Sequence, residues 1–335
     1  MKITRKRGSR FGLALCSGGA RGFANIGVLK ELDKHNIIPD YIAGASMGAI
    51  IGAMYANGNT IHEIERMAIE GRWKEFLRFT VPKTGLIEGK YMRDYFRKEL
   101  KLNNFKRFKI LFSAVSTNVD TGKTVVLDKG DSTKAVYASL AIPGIFTPLN
   151  YKRMTLVDGG LTSPLPTKEV REMGADFVLG VDLSMSVEEM TERKGKIIGF
   201  DKNSEFVKYM KEKFKQSQKE ILKDHIINTR KRIPEFAKGT IEKFIDRFYD
   251  PDKIIQKINI SDQFGMFDIL SKTMFIMTNQ LIIEKVNNDY HDIIIKPKLE
   301  GTGVINADHI EKIIEEGRLA TKKQIPKIKK RIQTA

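Results

Sequence analysis

As a pattern of apolar and polar positions, the chain begins by alternating short apolar runs with longer amphipathic stretches. Phe11–Cys16 (FGLALC) is apolar throughout and predicts a strand. The glycine-rich turn Ser17-Gly18-Gly19-Ala20-Arg21-Gly22 follows, and then a helix from Phe23 to His35, with Ile26, Leu29 and Leu32 at helical spacing and Pro39 stopping what comes next. Tyr41-Ile42-Ala43 reads as a strand end and Ala49 to Ala56 as a buried helix. Residues 60–79 and 88–101 are amphipathic at the helical period. Lys109–Val115 predicts a strand, and Asp120-Thr121-Gly122-Lys123 a turn leading into Thr124–Leu127. Ala135–Ala141 predicts a helix ended by Pro143-Gly144, and Met154–Val157 a strand running into Asp158-Gly159-Gly160. Phe177–Leu183 (FVLGVDL) is the continuous apolar run of a strand covered on both faces. Strands alternating with helices imply an α/β fold with a mostly parallel central sheet and helices on both faces.

After Ser184 the texture changes. Residues 187–262 are rich in Lys, Glu, Ile and Phe and show no strand pattern. Ala237, Ile241, Phe244 and Phe248 share one helical face, as do Phe206, Met210 and Phe214, while Pro234 and Pro251 punctuate the segment. This predicts a helical insertion of two or three helices. Its apolar faces either pack on the main domain or form a lid or membrane-facing surface. The α/β texture returns with a helix at Phe267–Gln280, a last strand at Asp292–Ile295 and a closing helix at Ala307–Glu316. The chain therefore divides into a basic N-terminal tail (1–10), an α/β domain (11–186 and 263–316), the insertion (187–262) and a basic C-terminal tail (317–335).

Composition narrows the class. With 335 residues, 41% hydrophobic and 30% charged, the chain is long enough for a sizeable core and is globular. The net charge of +17 is concentrated at the ends. Lys2, Arg5, Lys6, Arg7 and Arg10 stand among residues 1–10 with no acid, and Arg318, Lys322, Lys323, Lys327, Lys329, Lys330 and Arg331 among 317–335 with none. Such ends suit an anionic membrane surface, or are simply solvated. No nucleic-acid recognition motif accompanies the charge, so nucleic acid is not an expected partner. The single cysteine, Cys16, excludes a disulfide framework and a multi-cysteine metal site, and within an apolar strand it reads as buried filler. No metal-ligand cluster is visible, and no cofactor is expected. Phe11–Cys16 is shorter than the ~7–15 residues of a signal-peptide core, and no run reaches the ~18 apolar residues of a spanning helix. The expectation is a cytoplasmic protein, soluble or peripheral to the inner membrane face. The oligomeric state is not indicated.

The candidate chemistry lies in three glycine-bearing turns. Gly44-Ala45-Ser46-Met47-Gly48 joins a strand to a helix in the G-x-S-x-G pattern of a nucleophile elbow. There Gly44 and Gly48 let strand and helix approach closely, and Ser46 Oγ projects at the head of a helix. The same residues fit a plain helix start with Ser46 as N-cap. The turn Ser17–Gly22 could be a dinucleotide loop with Asp40 as its acid, but Ser17 stands where the first glycine belongs. Its other use is an oxyanion hole built from the Gly19 and Ala20 N–H groups, with Met47 N–H as a further donor. Arg21 either anchors this loop, attracts a phosphate head group or makes a surface ion pair. A serine nucleophile also needs a proton acceptor. Of His35, His62, His225, His291 and His309, none ends a predicted strand, although His291 and His309 follow Asp158 in the Ser…Asp…His order of an α/β-hydrolase. Asp158 is better placed. It ends a strand, precedes Gly159 and Gly160, and is followed by Pro164 and Pro166. Strand ends of such sheets gather at one edge. An ordinary turn is the alternative there.

Taken together, these stretches resemble the patatin-like phospholipase family, most closely its bacterial stand-alone members. G-G-x-R-G after the first strand, then G-x-S-x-G, then D-G-G after a middle strand stand in the family's order. LALCSGGARGFANIGVLKEL, ASLAIPGIFTPL and VDGGLTSPLPTKEVREMGAD are similar to family sequence, so the resemblance spans residues 10–185 and 264–316. It implies a Ser–Asp dyad without histidine, with Ser46 as nucleophile, Asp158 as base and Gly18, Gly19, Ala20, Arg21 and Gly22 forming the oxyanion hole. It also implies a lipid acyl hydrolase that cleaves carboxylic esters of phospholipids or lysophospholipids. Ser17 in place of the usual first glycine is a departure, and residues 187–262 resemble nothing that gives them a role. Desolvation is expected to raise the Asp158 carboxyl above the ~4 of a solvated aspartate. Two other readings remain: a non-catalytic membrane-surface binding or scaffold protein on the same fold, and a histidine-assisted esterase.

Overall fold

The structure, a computed structural model, describes residues 9–71, 85–186, 260–287, 290–300, 302 and 309–334, together with scattered positions between 189 and 228. The expected N-terminal tail, except Arg10 and Ser9, and nearly all of the expected insertion lie outside the described residues. In chain order the elements are β1 (Phe11–Leu15), α1 (Ala24–Lys34), β2 (Tyr41–Ala45), α2 (Met47–Asn57), α3 (Ile61–Glu70), β3 (Gly85–Ile87), α4 (Gly89–Lys98) and β4 (Leu111–Asn118). Then come β5 (Lys123–Leu127), α5 (Ser132–Leu140), β6 (Gly144–Phe146), β7 (Leu149–Tyr151), β8 (Met154–Asp158), α6 (Thr167–Glu172), β9 (Phe177–Val181), α7 (Ile260–Asn287), β10 (Ile293–Ile295) and α8 (Ile310–Thr334).

The main sheet has the order β10-β9-β1-β2-β4-β8-β7, with β5 also paired to β4. Strands β10, β9, β1, β2 and β4 are parallel. Strand β8 runs against β4, β7 against β8, and β5 against β4. Every residue of β1, β2 and β9 is buried. Successive side chains of a strand face opposite ways, so both faces of the sheet centre are covered, which is why these strands read as unbroken apolar runs. The expected α/β class and mostly parallel central sheet are what the structure has. Strands β3, β6 and β7 were not legible, because three residues are too few to display a period and none of these is an unbroken β-branched run like Ile293–Ile295 of β10. Strands β7 and β8 form a hairpin whose two turn residues, Lys152 and Arg153, have φ of 46° and 62°. That is the twist a two-residue hairpin needs, reached here without the usual Asn or Gly signal.

The closing helix corrects the sequence reading. Residues 317–335, expected to be a basic tail, belong up to Thr334 to α8. Its buried positions Ile313, Ile314, Gly317, Thr321, Ile325, Ile328 and Ile332 recur every three or four residues, a stripe that the lysines between them disguise. Helix α8 crosses α1 with the two backbones in contact. A Cβ on Gly27 would lie 1.8 Å from the Ile314 carbonyl oxygen, and one on Gly317 2.1 Å from that of Ala24. The segment's charge is partly engaged too: Arg318 pairs with the buried Glu31 of α1 at 3.1 Å, and Arg331 with Asp292 at 2.8 Å. Gly317→Ala should therefore lower stability by about 3 kcal/mol, since only a backbone shift can make room. A urea melt measures this, and an unchanged midpoint would show that the two helices part easily.

Candidate active site

Strand β2 ends at Ala45 and α2 begins at Met47, so Ser46 alone makes the turn between them. Its φ of 53° and ψ of −119° are sparsely populated by any residue other than glycine. The flanking glycines are required by contact. A Cβ on Gly44 would lie 2.4 Å from the Gly48 carbonyl oxygen, and one on Gly48 2.2 Å from that of Leu15. The turn is held from α5: Ser46 N–H donates to Ser139 Oγ at 3.0 Å, and that hydroxyl donates to the Val115 carbonyl. Ser46 occupies the N-cap position of α2, but its side chain makes no capping bond. Its hydroxyl donates instead to Asp158 Oδ2 at 2.6 Å.

Sheet register explains that meeting. Strands β2 and β8 flank β4, with Ala45 opposite Val115 and Asp158 opposite Ser116. Because β8 runs antiparallel, it comes down β4 from the far end and stops level with the residue after Ala45. The two side chains meet because strands approach from opposite directions, not because parallel strand ends gather. Asp158 is 5% exposed, and its Oδ1 accepts the Gly160 N–H at 2.7 Å. Burial pushes its carboxyl up to about 6, outweighing the hydrogen bonds from Ser46 and Gly160 that favour the charge. Its backbone is pinned as well: its N–H donates to Ala141 O, and its carbonyl accepts from Thr117 Oγ1 at 2.9 Å. A Cβ on Gly159 would lie 2.0 Å from Val115 O, so this glycine lets the loop lie directly on β4.

The first glycine turn winds into a 3-10 turn, Gly19–Phe23, entered through Gly18 at φ 155°. A Cβ on Gly22 would lie 2.5 Å from Met47 Cβ, so the loop rests against the head of α2. Arg21 departs from its expected place in the oxyanion set. Its N–H donates to Gly18 O at 3.1 Å, and its buried guanidinium is spent on carbonyls: Leu183 at 3.2 Å, Leu299 at 3.1 Å, Ser184 at 3.3 Å and Thr302 at 3.4 Å. Of the three uses weighed for it, loop anchor is the one observed. Burial disfavours its charge, and Glu189 and Asp182 favour it.

No described histidine is bonded to Ser46. His35 pairs with Glu31 at 3.2 Å, and His62 and His309 are exposed. His291 precedes β10, level with the start of β2 and so at the other edge of the sheet. His225 lies outside the described residues. Among the described residues, no group of three His, Cys, Asp or Glu side chains could hold a metal, and no helix is long and apolar enough to cross a membrane. Sequence reasoning missed Ser139 and Thr117 as supports, because small polar residues within apolar helices and strands give no local signal.

Residues 13–171 match the Patatin family, described as patatin-like phospholipase. The chain is 32% identical over 186 residues to Lysophospholipase NTE1 of Debaryomyces hansenii, covering 54% of this chain and 12% of that protein. It is 35% identical over 188 residues to an uncharacterized NTE family protein of Mycobacterium bovis, covering 54% of this chain and 52% of that one. The matched region thus spans about half the length of the mycobacterial relative and a far smaller part of the yeast one. The crystal structure of VipD from Legionella pneumophila aligns with 95% of this chain and 67% of its own at a TM-score of 0.44 and 12% identity. Residues 13–171, the region that carries all three glycine turns, are thus similar to the patatin-like phospholipase family over just under half of the chain.

Proposed function

We propose that this chain is a serine acyl hydrolase acting on carboxylic esters of lipids, of phospholipase A or lysophospholipase type. The observation that carries the reading is the 2.6 Å hydrogen bond from a strained serine to a buried carboxylate. Asp158 takes the hydroxyl proton as Ser46 Oγ attacks the ester carbonyl. The N–H groups of Gly19 and Ala20, at the start of the 3-10 turn, and of Met47, at the start of α2, have no acceptor within their own helices and receive the oxyanion. Gly18 and Gly22 allow the loop to lie close enough for this. As the intermediate collapses, Asp158 passes its proton to the leaving alcohol. Water then hydrolyses the acyl-serine with Asp158 again as base. A carboxyl near 6 suits both duties: it is ionised at neutral pH, yet more basic than a solvated aspartate.

Two features support a lipid as substrate. One relative bears the name lysophospholipase. In addition, α7 touches the dyad loop through Thr278, whose hydroxyl donates to Gly160 O at 3.2 Å, while its neighbours Ile276 and Met277 are exposed. Exposed apolar side chains on a helix that touches the site suit a lipid surface. The test is incubation with a fluorophosphonate probe and mass spectrometry of the digest. A single adduct on Ser46 is the expected result. A folded protein that takes no label, or takes it on another residue, would overturn the proposal.

A further inference from the structure

Ser17 is a buried hydroxyl that this mechanism leaves unused. Leu15 of β1 stands opposite Gly44 of β2, so Ser17 and Ser46 leave neighbouring strands at the same height. Ser17 is 3% exposed, and its N–H donates to Pro164 O at 2.8 Å. Its Oγ is buried without a hydrogen-bond partner. An enclosed, unpaired hydroxyl is costly, and such groups in folded proteins call for a functional or solvent-related reason. The adjacent Cys16 thiol, kept neutral by burial, offers at most a weak contact to this hydroxyl and does not replace a hydrogen-bond partner.

The surroundings of Ser17 Oγ suggest its use. A Cβ placed on Gly160 would lie 3.2 Å from Ser17 Oγ and 3.0 Å from Asp158 Oδ1. Ser17 Oγ and the dyad carboxylate therefore lie on the same side of Gly160 and no more than about 6 Å apart, the range that a single bridging water spans. Ser46 engages the other carboxylate oxygen, Oδ2. We propose, resting on the acyl-hydrolase reading, that Ser17 is a water-positioning residue for the second half-reaction, its hydroxyl and Asp158 Oδ1 together holding the water that attacks acyl-Ser46. The water oxygen bonds to the acyl carbon, one of its protons passes to Asp158, and the carbonyl electron pair moves onto oxygen. Collapse of that intermediate breaks the bond from carbon to Ser46 Oγ. Asp158 returns the proton to Oγ, and the carboxylic acid leaves.

The two half-reactions separate this role from a structural one. With a p-nitrophenyl ester, rapid quench gives the acylation rate from the first release of p-nitrophenol. Mass spectrometry of acyl-Ser46 gives the rate at which it decays. Ser17→Ala should slow decay about tenfold, the worth of one lost hydrogen bond, and change acylation less than about twofold. Its melting temperature should not fall, because the removed hydroxyl was unpaired. Ser17→Gly, which also lacks the hydroxyl, should show the same kinetics, with a slightly lower melting temperature from glycine's added chain entropy. Equal slowing of both steps or unchanged decay in either variant, or a lower melting temperature of Ser17→Ala, would each overturn the inference. If Ser46 of the unaltered protein takes no fluorophosphonate label, the acyl-hydrolase reading fails and the inference with it; label on Ser46 with unchanged decay in the variants removes the inference alone.

Discussion

Ser46→Ala should reduce ester hydrolysis by about 10⁴-fold or more while the protein remains folded, because no other described hydroxyl is bonded to the Asp158 carboxylate and covalent catalysis has no fallback. The loss is read from p-nitrophenyl ester turnover and from the absence of a fluorophosphonate adduct. Retention of a tenth of the activity would rule out Ser46 as nucleophile. The same position tests the strained turn. Ala and Gly both lack the hydroxyl, so a comparison of Ser46→Ala with Ser46→Gly isolates the backbone. At φ 53° and ψ −119°, strain costs a non-glycine residue ~1–3 kcal/mol, and glycine's added chain entropy costs ~0.5–1. Ser46→Gly should therefore be the more stable of the two by about 1 kcal/mol in a urea melt.

Asp158→Asn should remove activity by about 10³-fold or more and at the same time stabilise the protein above neutral pH. An amide cannot accept the Ser46 proton, yet it keeps the shape, with its carbonyl for the Gly160 N–H and its NH₂ group for Ser46 Oγ. The folded carboxyl holds its proton up to about pH 6, whereas an unfolded chain releases it near ~4. Between those values the folded state binds more protons, so wild-type stability falls as pH rises through that window and stays lower above it, by about 2–3 kcal/mol. The Asn variant lacks this loss. Its melting temperature should match the wild type near pH 4 and exceed it at pH 7.5. The rate of the wild type, which needs the ionised carboxylate, should rise through about pH 6 rather than through ~4. An acid limb at the lower value would mean that Asp158 is solvated in the working enzyme.

The parts of this fold visible in the sequence are those whose signal is local. Strands β1, β2 and β9 announce themselves because both faces are buried, so no polar residue interrupts them. The elbow at Ser46 is legible because glycine is needed on both sides of it by direct contact. Asp158 was legible as the end of a strand, but not the direction from which that strand comes. Its direction depends on the hairpin at Lys152 and Arg153, whose residues give no turn signal. The destination of Arg21 was hidden for another reason: its four acceptors are backbone carbonyls at residues 183, 184, 299 and 302, far along the chain. Ser17 was visible only as a departure from a glycine, since nothing local shows that its hydroxyl lies near the carboxylate. The lysines of α8 concealed a helical stripe, because a charge count records which residues are present and not how they are spaced.

The crossing of α8 over α1 sets an order of events during translation. Helix α1 and the glycine turn before it leave the ribosome well ahead of the helix that covers them, which follows only after the whole sheet has been made. Until it arrives, α1 lacks the cover that its close glycine contacts and the buried Glu31 require, and a nascent chain in that condition is a natural client for chaperones.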